Sequence, residues 1–422
     1  MVDRRPSVCM IALMQRIVSF LSISPRFLAF GFMIAFFSSF GQTFFISLSG
    51  GHIRDAFSLS HGDFGLIYSA GTLSSAALLI WAGHKIDHVD LRAYTSIACL
   101  GLALACIAMA TVSSVLFLIP VIFALRFSGQ GLMSHIAQVS MARYFGGNRG
   151  KAISVAGMGY PVGEAILPTL AVATIAWLGW REMWMGVGVI LAICLVPLTL
   201  WLLKGHGIRH ANLQNSLEAS ADSLSNPLSW TRLQMLRDLR FYVLVPGLMS
   251  SPMVGTGLFF HQVHLVDVKG WSLAWFAGAF VAFAISQTVA GIVTGILVDR
   301  FGTVRLLKVD MLPMLAGLAI LALFSEPWVA IIYMIFAGAS SGAIGVTHSS
   351  IWAELYGVTH LGGIKALATA LMVLSSALGP PLMGLAIDAG YTMEAVAAGG
   401  GMFVAFGLFM VVFVFPRLRT GS

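Results

Sequence analysis

Charged residues are scarce in this sequence. Asp, Glu, Lys and Arg make up 10% of the 422 residues, whereas 58% are hydrophobic and the mean hydropathy is +0.90. A soluble globule of this size needs more polar side chains to cover its surface. The composition therefore excludes a soluble enzyme or binding domain and indicates a protein whose surface faces lipid.

Cysteine is also scarce. The four cysteines lie in the N-terminal segment or in apolar runs, without the paired spacing of a metal site or a disulfide framework. No Walker loop for nucleotide binding is present. We therefore expect no metal, no cofactor and no enzymatic activity.

Long apolar runs fill the remainder of the chain. A run of about 20 apolar residues is long enough to cross a bilayer. The sequence predicts an all-α membrane protein with twelve transmembrane helices, at 27–50, 62–82, 94–113, 115–140, 152–176, 183–203, 241–263, 273–297, 307–324, 328–353, 364–387 and 392–415.

The basic residues lie almost entirely on one side of these predicted spans. Arg54, Arg181 and Lys269 are the only ones in the odd-numbered gaps, whereas twenty lie at the termini and in the even-numbered gaps. Because loops rich in Lys and Arg stay in the cytoplasm, this predicts a multi-pass inner-membrane protein with both termini cytoplasmic. The net charge of +7 thus reflects contact with the lipid bilayer rather than binding of nucleic acid.

The chain repeats itself at about half its length. His52 and Asp87 recur as His264 and Asp299, each 212 positions later (264 minus 52), and "RYFGG" has a counterpart in "ELYGV". A constant offset over six spans predicts two pseudo-symmetric six-helix bundles. The predicted segments are an interfacial N-terminus (1–26), the first bundle (27–203), a cytoplasmic linker with an amphipathic helix (204–240), the second bundle (241–415) and a tail (416–422).

Two loops carry a matching motif. "GHKIDHVDLR" begins at Gly83 and "GILVDRFGTVR" begins at Gly295. With the parallel halves, these loops resemble the major facilitator superfamily, whose signature reads G-x-x-x-D-R-x-G-R-R, and the resemblance covers essentially the whole chain. It implies a transporter that binds its substrate between the halves and alternates between two states.

The loop residues predict a cytoplasmic latch. A glycine allows close helix approach, and a carboxylate at the membrane edge favours the positive N-terminus of a neighbouring helix, which we expect to be the eleventh. Such a contact exists only while the cytoplasmic side is shut. The alternative is that these loops are ordinary solvated turns. The candidate gating residues are Gly83, Asp87, Arg92, Gly295, Asp299 and Arg300.

Two charged residues lie near mid-membrane. Arg126 is the only basic residue in the interior of a predicted span, since Lys308 and Lys365 lie at span ends. It occurs in "LRFSGQG", which resembles the R-x-x-G-x-G element that the superfamily associates with substrate or proton coupling. Glu164 lies at similar depth in the fifth span and is a candidate proton carrier. An Arg126–Glu164 ion pair exchanged for substrate and proton, a permanent structural pair, and an arginine held by carbonyls of the first helix all remain open.

Several uncharged polar residues lie at central depth. The resemblance implies that the first, eighth, tenth and eleventh helices line the cavity, so Gln42, Gln287 and Ser341 are candidate substrate contacts. His261, near the outer end of the seventh span, is a further candidate, although a histidine there is more often a hydrogen-bonded packing residue.

The substrate class rests on a second resemblance. "YFGGNRGKAISVAGMGYPVGEAILPTL", followed by "LGWRE", is similar to the monocarboxylate and oxalate/formate branch, although the eighth span lacks that branch's basic residue. This predicts a secondary active transporter for a small organic anion, monomeric, coupled to protons or to a counter-substrate. An exporter of amphipathic or hydrophobic compounds, and a non-transporting assembly factor on the same fold, are the alternatives.

Overall fold

The computed structural model describes residues 24–145, 148–210, 230–357 and 360–419. Most of the predicted interfacial N-terminus, the middle of the linker and the last three residues of the tail lie outside the described residues. Within the described part of the linker, residues 206–210 are helical, and residues Arg232–Leu236 form a short helix begun by a capping box between Thr231 and Gln234.

Twelve apolar helices follow one another in the described part of the chain, which confirms the predicted fold class. Ten are long and apolar enough to cross a membrane, α1 is bent by 46° at Gln42, and α9 has only 12 residues. The helices are α1 (Pro25–Gly41 and Thr43–Phe57), α2 (His61–His84), α3 (Leu91–Thr111), α4 (Val115–Tyr144), α5 (Arg149–Leu178), α6 (Trp180–Leu202), α7 (Leu239–Phe260), α8 (Leu273–Phe301), α9 (Leu312–Leu323), α10 (Trp328–Tyr356), α11 (Leu361–Asp388) and α12 (Met393–Arg417).

Polar residues in the loops set the helix starts. The Ser60 hydroxyl accepts from the backbone N–H of Asp63 in a capping box, and the Asp90 carboxylate accepts from the first N–H groups of α3. Ser272 and Thr392 cap α8 and α12 in the same way. Each side chain satisfies an N–H that has no partner within the helix.

Glycine sets the distance between helices where two backbones meet. A Cβ added to Gly129 of α4 would lie 2.7 Å from the Cα of Gly41 in α1, and one added to Gly407 of α12 would lie 2.9 Å from the Cα of Gly247 in α7. In lipid, such close packing replaces the hydrophobic effect as the source of helix association. These four positions therefore have no room for a side chain.

The two halves meet along two pairs of helices, α2 with α11 and α5 with α8. We call the helix ends next to the loops after α2, α4, α8 and α10, where basic residues are concentrated, the basic side, and the opposite ends the far side. Within the described parts of the chain, every hydrogen bond that joins residues of 27–203 to residues of 241–415 lies toward the far side. The halves are thus closed on the far side.

Candidate substrate cavity and far-side closure

A cavity with two adjoining lobes lies between the halves. Pro252 and Met372 line both lobes. The polar lobe, about 420 Å³, is lined by Thr72, Ser75, Arg126, Gln130, Ser134 and Gln138 from the first half, with Thr369 and Ser376 from the second. The aromatic lobe, about 300 Å³, belongs to the second half and is lined by Phe259, Phe283, Met314, Tyr333 and Ser341 among others.

Arg126 is the charged residue of the polar lobe. Its side chain is 3% exposed, and Nη1 donates to the Gly41 carbonyl and to Thr43 Oγ1, each at 3.3 Å. The guanidinium carbon lies 5.3 Å from the centre of the Tyr68 ring, and Nε has no hydrogen-bond partner. No carboxylate among the described residues pairs with it. The structure therefore holds a buried positive charge beside the cavity that only neutral groups of the protein satisfy.

The local sequence explains how Arg126 reaches α1. Residues Arg126–Met133 form a π-helical segment within α4, a widened turn that is often found at functional sites. Gly129 in this segment packs directly on Gly41, which brings the carbonyl of Gly41 within reach of the guanidinium. The sequence hypothesis of an arginine held by a carbonyl of the first helix is therefore confirmed for one of its nitrogens.

Glu164 does not pair with Arg126, so the predicted ion pair is wrong for this conformation. No ion pair or hydrogen bond between the two occurs in the described structure, and Glu164 Oε2 is buried without a partner. The reason is lateral position rather than depth: Gly163 packs on Ser39 of α1, whereas the Arg126 guanidinium is held at Gly41 and Thr43. Glu164 is not among the residues that line the two lobes.

The uncharged candidates separate into three groups. Ser341 lines the aromatic lobe and accepts a hydrogen bond from Gln287 Nε2 at 3.1 Å, while Gln287 itself is one layer behind the lining. Gln42 lies at the break in α1, in extended backbone. His261 lies at the outer end of α7, outside the lining of the two lobes and within the far-side closure, where its Nε2 donates to the Pro380 carbonyl at 2.9 Å.

A serine motif in α10 carries no nucleophile. Residues 338–342 read G-A-S-S-G, the spacing of an esterase elbow. That elbow needs a sharp strand-to-helix turn, whereas these residues lie inside the continuous helix α10, and the Ser340 hydroxyl donates to the Asp310 carbonyl at 3.0 Å. The motif is a helix-packing sequence.

The two loops of the predicted latch do not reach the opposite half in this conformation. The nearest neighbour of Gly83 is His135 of the same half, whose Nε2 lies 3.1 Å from the Gly83 carbonyl oxygen, and no atom would contact a Cβ at Gly295. Asp299 and Arg300 are exposed. Arg92 follows the Asp90 cap of α3, and the side chain of Asp87 is not among those described.

The far side carries the contacts that the sequence analysis missed. Asp388, at the end of α11, accepts from the backbone N–H groups of His61 and Gly62 at 3.0 and 2.7 Å, so a carboxylate of one half caps the first turn of α2 in the other. A carboxylate is favourable at this position because the helix N-terminus is positive. This is the arrangement predicted for Asp87 on α11, found instead at the other end of the same pair of helices.

Side-chain amides and hydroxyls complete the closure. Gln262 Nε2 donates to the Phe44 carbonyl and to Ser47 Oγ, each at 2.7 Å, and Ser47 Oγ donates to the Phe259 carbonyl at 2.7 Å. Ser69 of α2 donates to the Ala377 carbonyl of α11. The far-side part of α1 is therefore bonded to the second half.

An aromatic layer lies between this closure and the cavity. The rings of Phe64 and Tyr68 lie 4.9 and 4.7 Å from that of Phe260 in α7. The Tyr68 hydroxyl is 2.6 Å from Thr43 Oγ1, which accepts from Arg126. A continuous set of contacts thus joins the arginine of the cavity to the closure. Polar residues inside apolar spans were the sequence signal for Thr43 and Tyr68.

Comparisons with known proteins agree with this architecture. A comparison with curated protein sequences finds no significant match. Among solved structures, the chain is similar to a bacterial homologue of the human lysosomal transporter Spinster, inward-facing and unoccupied (TM-score 0.62, 16% identity, covering 93% of this chain and 96% of that one). The occupied form gives a TM-score of 0.63 at 16% identity with coverage of 93% and 94%, and the nucleoside transporter NupG gives 0.64 at 15% with 93% and 97%.

At this identity the structural likeness shows the fold alone. The sequence profile described as Major Facilitator Superfamily matches residues 29–327 and 279–422, which together include nearly the whole chain. The chain belongs to the Major Facilitator Superfamily.

Proposed function

We propose that this protein is a secondary active transporter for an organic anion, with its basic side in the cytoplasm and its far side outside the inner membrane. The observation that carries the proposal is Arg126, which lines the cavity, is 3% exposed and has no carboxylate partner among the described residues. Two neutral acceptors on Nη1 compensate only part of the energetic cost of burying a guanidinium, and Nε has no partner. An anionic substrate supplies the missing partner.

The difference between the two lobes of the cavity indicates the chemical form of the substrate more closely. Counting 212 positions on from Arg126 leads to Gly338, so the second half offers no matching charge. It offers instead the aromatic lobe, with Phe259, Phe283 and Met314. A substrate with a carboxylate in the polar lobe and an apolar body in the aromatic lobe fills both. The monocarboxylate-like head group agrees with the resemblance to the monocarboxylate and oxalate/formate branch.

The second candidate is export of amphipathic compounds, and the aromatic lobe is the observation that favours it. The volume of this lobe, about 300 Å³, is larger than the apolar part of a two- or three-carbon carboxylic acid would fill. The two candidates differ in the charge requirement, because an uncharged amphipathic compound needs no guanidinium.

Transport proceeds by alternating access in this proposal. The far side is closed by Asp388, Gln262 and Ser47, so substrate exchanges with the basic side. In the other state these contacts break and the loops at Gly83 and Gly295 meet the opposite half as the cytoplasmic latch. The proton or counter-substrate completes the cycle, and Glu164, whose Oε2 is buried without a partner, is the candidate proton carrier inside the membrane.

The test is uptake and counterflow in proteoliposomes with a series of labelled carboxylates of increasing apolar length, with and without a pH gradient. We expect accumulation of carboxylates and a preference for longer apolar bodies. Arg126→Gln abolishes this accumulation, and Arg126→Lys retains part of it because it keeps the charge. Glu164→Gln weakens the dependence on the pH gradient.

Arg181 provides a matched control. Its Nη1 also donates to two backbone carbonyls, of Ala110 and Val112 at 2.8 and 2.7 Å, at the far-side ends of α3 and α6. Arg181→Gln should leave substrate preference unchanged. Unchanged carboxylate transport in Arg126→Gln refutes the anion proposal, dye efflux that needs Glu164 without any carboxylate transport favours the exporter, and no transport of either favours an assembly factor.

A further inference from the structure

Three imidazoles and one guanidinium meet where the halves touch on the far side. His61 of α2 lies with its ring centre 4.3 Å from that of His264 and 5.6 Å from that of His261, both from the other half. Arg54 Nη1 lies 3.1 Å from His61 Nε2. Four groups that carry or can acquire a positive charge are therefore in contact while the far side is closed.

The contact with Arg54 fixes the protonation of His61. A guanidinium has only N–H donors, so the nitrogen that it contacts must accept, and His61 Nε2 is unprotonated. The proton of neutral His61 is then on Nδ1, which is buried without a hydrogen-bond partner. His261 differs, because its Nε2 donates to a carbonyl and this bond exists in both charge states. A second proton on His61 breaks its hydrogen bond with Arg54 of the same half and places an imidazolium against His261 and His264 of the other half.

The surroundings offer little compensation for an added charge. The charged and titratable groups that face the cluster are Arg54 and Asp55 from α1, Asp388 from α11, and His261, His264 and Asp267 from the end of α7 and the short helix after it. Asp55 lies beside Arg54 and is exposed to solvent, which screens its charge. Asp388 is engaged with the backbone of α2. Burial and the charge of Arg54 lower the pKa of His264, so that this neighbour is neutral at pH 7.

We infer that His61 is a proton-binding site of the transport cycle, and that its protonation from the far side opens the closure between the halves. The proton passes from water to His61 Nε2, the hydrogen bond from Arg54 is lost, and the imidazolium lies against Arg54, His261 and His264. Opening separates His61 from the two histidines of the other half and lets water solvate the charge. Proton uptake and far-side opening are thereby linked.

This inference rests on the proposed alternating access but not on the identity of the substrate. Under it, an anion that enters from an acidic exterior is accompanied by a proton bound at the gate, in addition to the proton that Glu164 carries inside the membrane. The site is separate from Glu164, which lies inside the membrane on α5.

The experiment measures opening directly, without substrate. Spin labels on cysteines at Ala56 and Tyr391, exposed positions on the far side of the two halves, report the distance across the closure in a background in which the four native cysteines are replaced. In the open state, where water reaches it, His61 should have the pKa of an ordinary histidine, about 6.5. If only the open state binds this proton, the ratio of open to closed protein should rise by up to about 30-fold between pH 8 and pH 5.

Two substitutions of His61 with opposite expected effects on far-side opening keep the test independent of folding. His61→Gln keeps an acceptor for Arg54 but binds no proton, and should stay closed at pH 5. His61→Arg carries a permanent charge and should be open at pH 8. His52→Gln removes an exposed histidine of the same side outside the cluster and should retain the wild-type response.

A pH response of wild-type size in His61→Gln, or none in the wild type, overturns the inference. A failure of carboxylate transport together with a normal pH response refutes the proposed substrate and leaves the proton site intact. The two hypotheses are thus separately decided.

Discussion

Asp388→Asn should shift the protein toward the conformation that is open on the far side. The carboxylate accepts two backbone N–H bonds, at 3.0 and 2.7 Å, from the first turn of α2. A buried hydrogen bond to a charged group contributes about 1.5–3 kcal/mol, and the helix dipole adds about 0.3–1 kcal/mol. Asp388 is exposed, so solvent screening reduces the combined effect. In the variant, the side-chain carbonyl oxygen of the asparagine still accepts one of the two bonds. We expect a loss of about 1 kcal/mol, which is about a fivefold change in the ratio of open to closed protein.

The assay is the distance between labels at Ala56 and Tyr391 at pH 8, where His61 is neutral. Asp63→Asn is the matched control, since Asp63 lies in the same first turn of α2 but accepts from Ser60 N–H and Oγ at 3.4 and 2.9 Å within its own half. Equal shifts in the two variants would mean that a general loss of negative charge opens the far side. An unchanged distance in Asp388→Asn alone would refute the role of the inter-half cap.

Three further outcomes follow from single contacts. Gly129→Ala places a Cβ 2.7 Å from the facing backbone of α1 and should lower thermal stability by about 1–3 kcal/mol, whereas Gly157→Ala, with no atom within 4 Å, should not; equal melting temperatures would refute the packing argument. Lys269→Met removes a buried ammonium 2.7 Å from Glu394 and should lower the free energy of unfolding by about 2 kcal/mol in a denaturant titration. An unchanged midpoint of unfolding would contradict this prediction. Tyr68→Phe should leave substrate affinity near its wild-type value but slow transport, because the hydroxyl links the arginine of the cavity to the closure; parallel losses of affinity and rate would contradict this.

Depth in the membrane was predictable from the sequence, and lateral position was not. Hydropathy gave all twelve helices, including α9 at 12 residues, and the energetic cost of a mid-membrane charge identified Arg126. Glu164 lies at similar depth along its helix, yet the two side chains do not pair. Which faces of two helices meet depends on packing such as Gly41 against Gly129, and that contact joins positions 88 apart in the chain (129 minus 41).

The far-side closure was not predictable for a different reason. Asp388 looks like an ordinary polar residue at the end of an apolar run, and its partners are backbone N–H groups more than 320 residues away. Backbone groups have no sequence signature. The break at Gln42 has only a weak sequence signal, because the adjacent Gly41 is a residue type that also occurs in unbroken membrane helices; the far-side part of α1 is bonded to the second half.

The lack of a carboxylate partner for Arg126 has an electrical consequence. A monovalent anion bound at the guanidinium cancels the charge of the cavity, so the loaded protein changes state without moving net charge there. The empty protein carries its positive charge through the return step, and a membrane potential of 100 mV acts on a full elementary charge with about 2.3 kcal/mol. At Arg126, the voltage across the membrane therefore acts on the unloaded carrier, whereas in the loaded carrier it acts on the coupled proton.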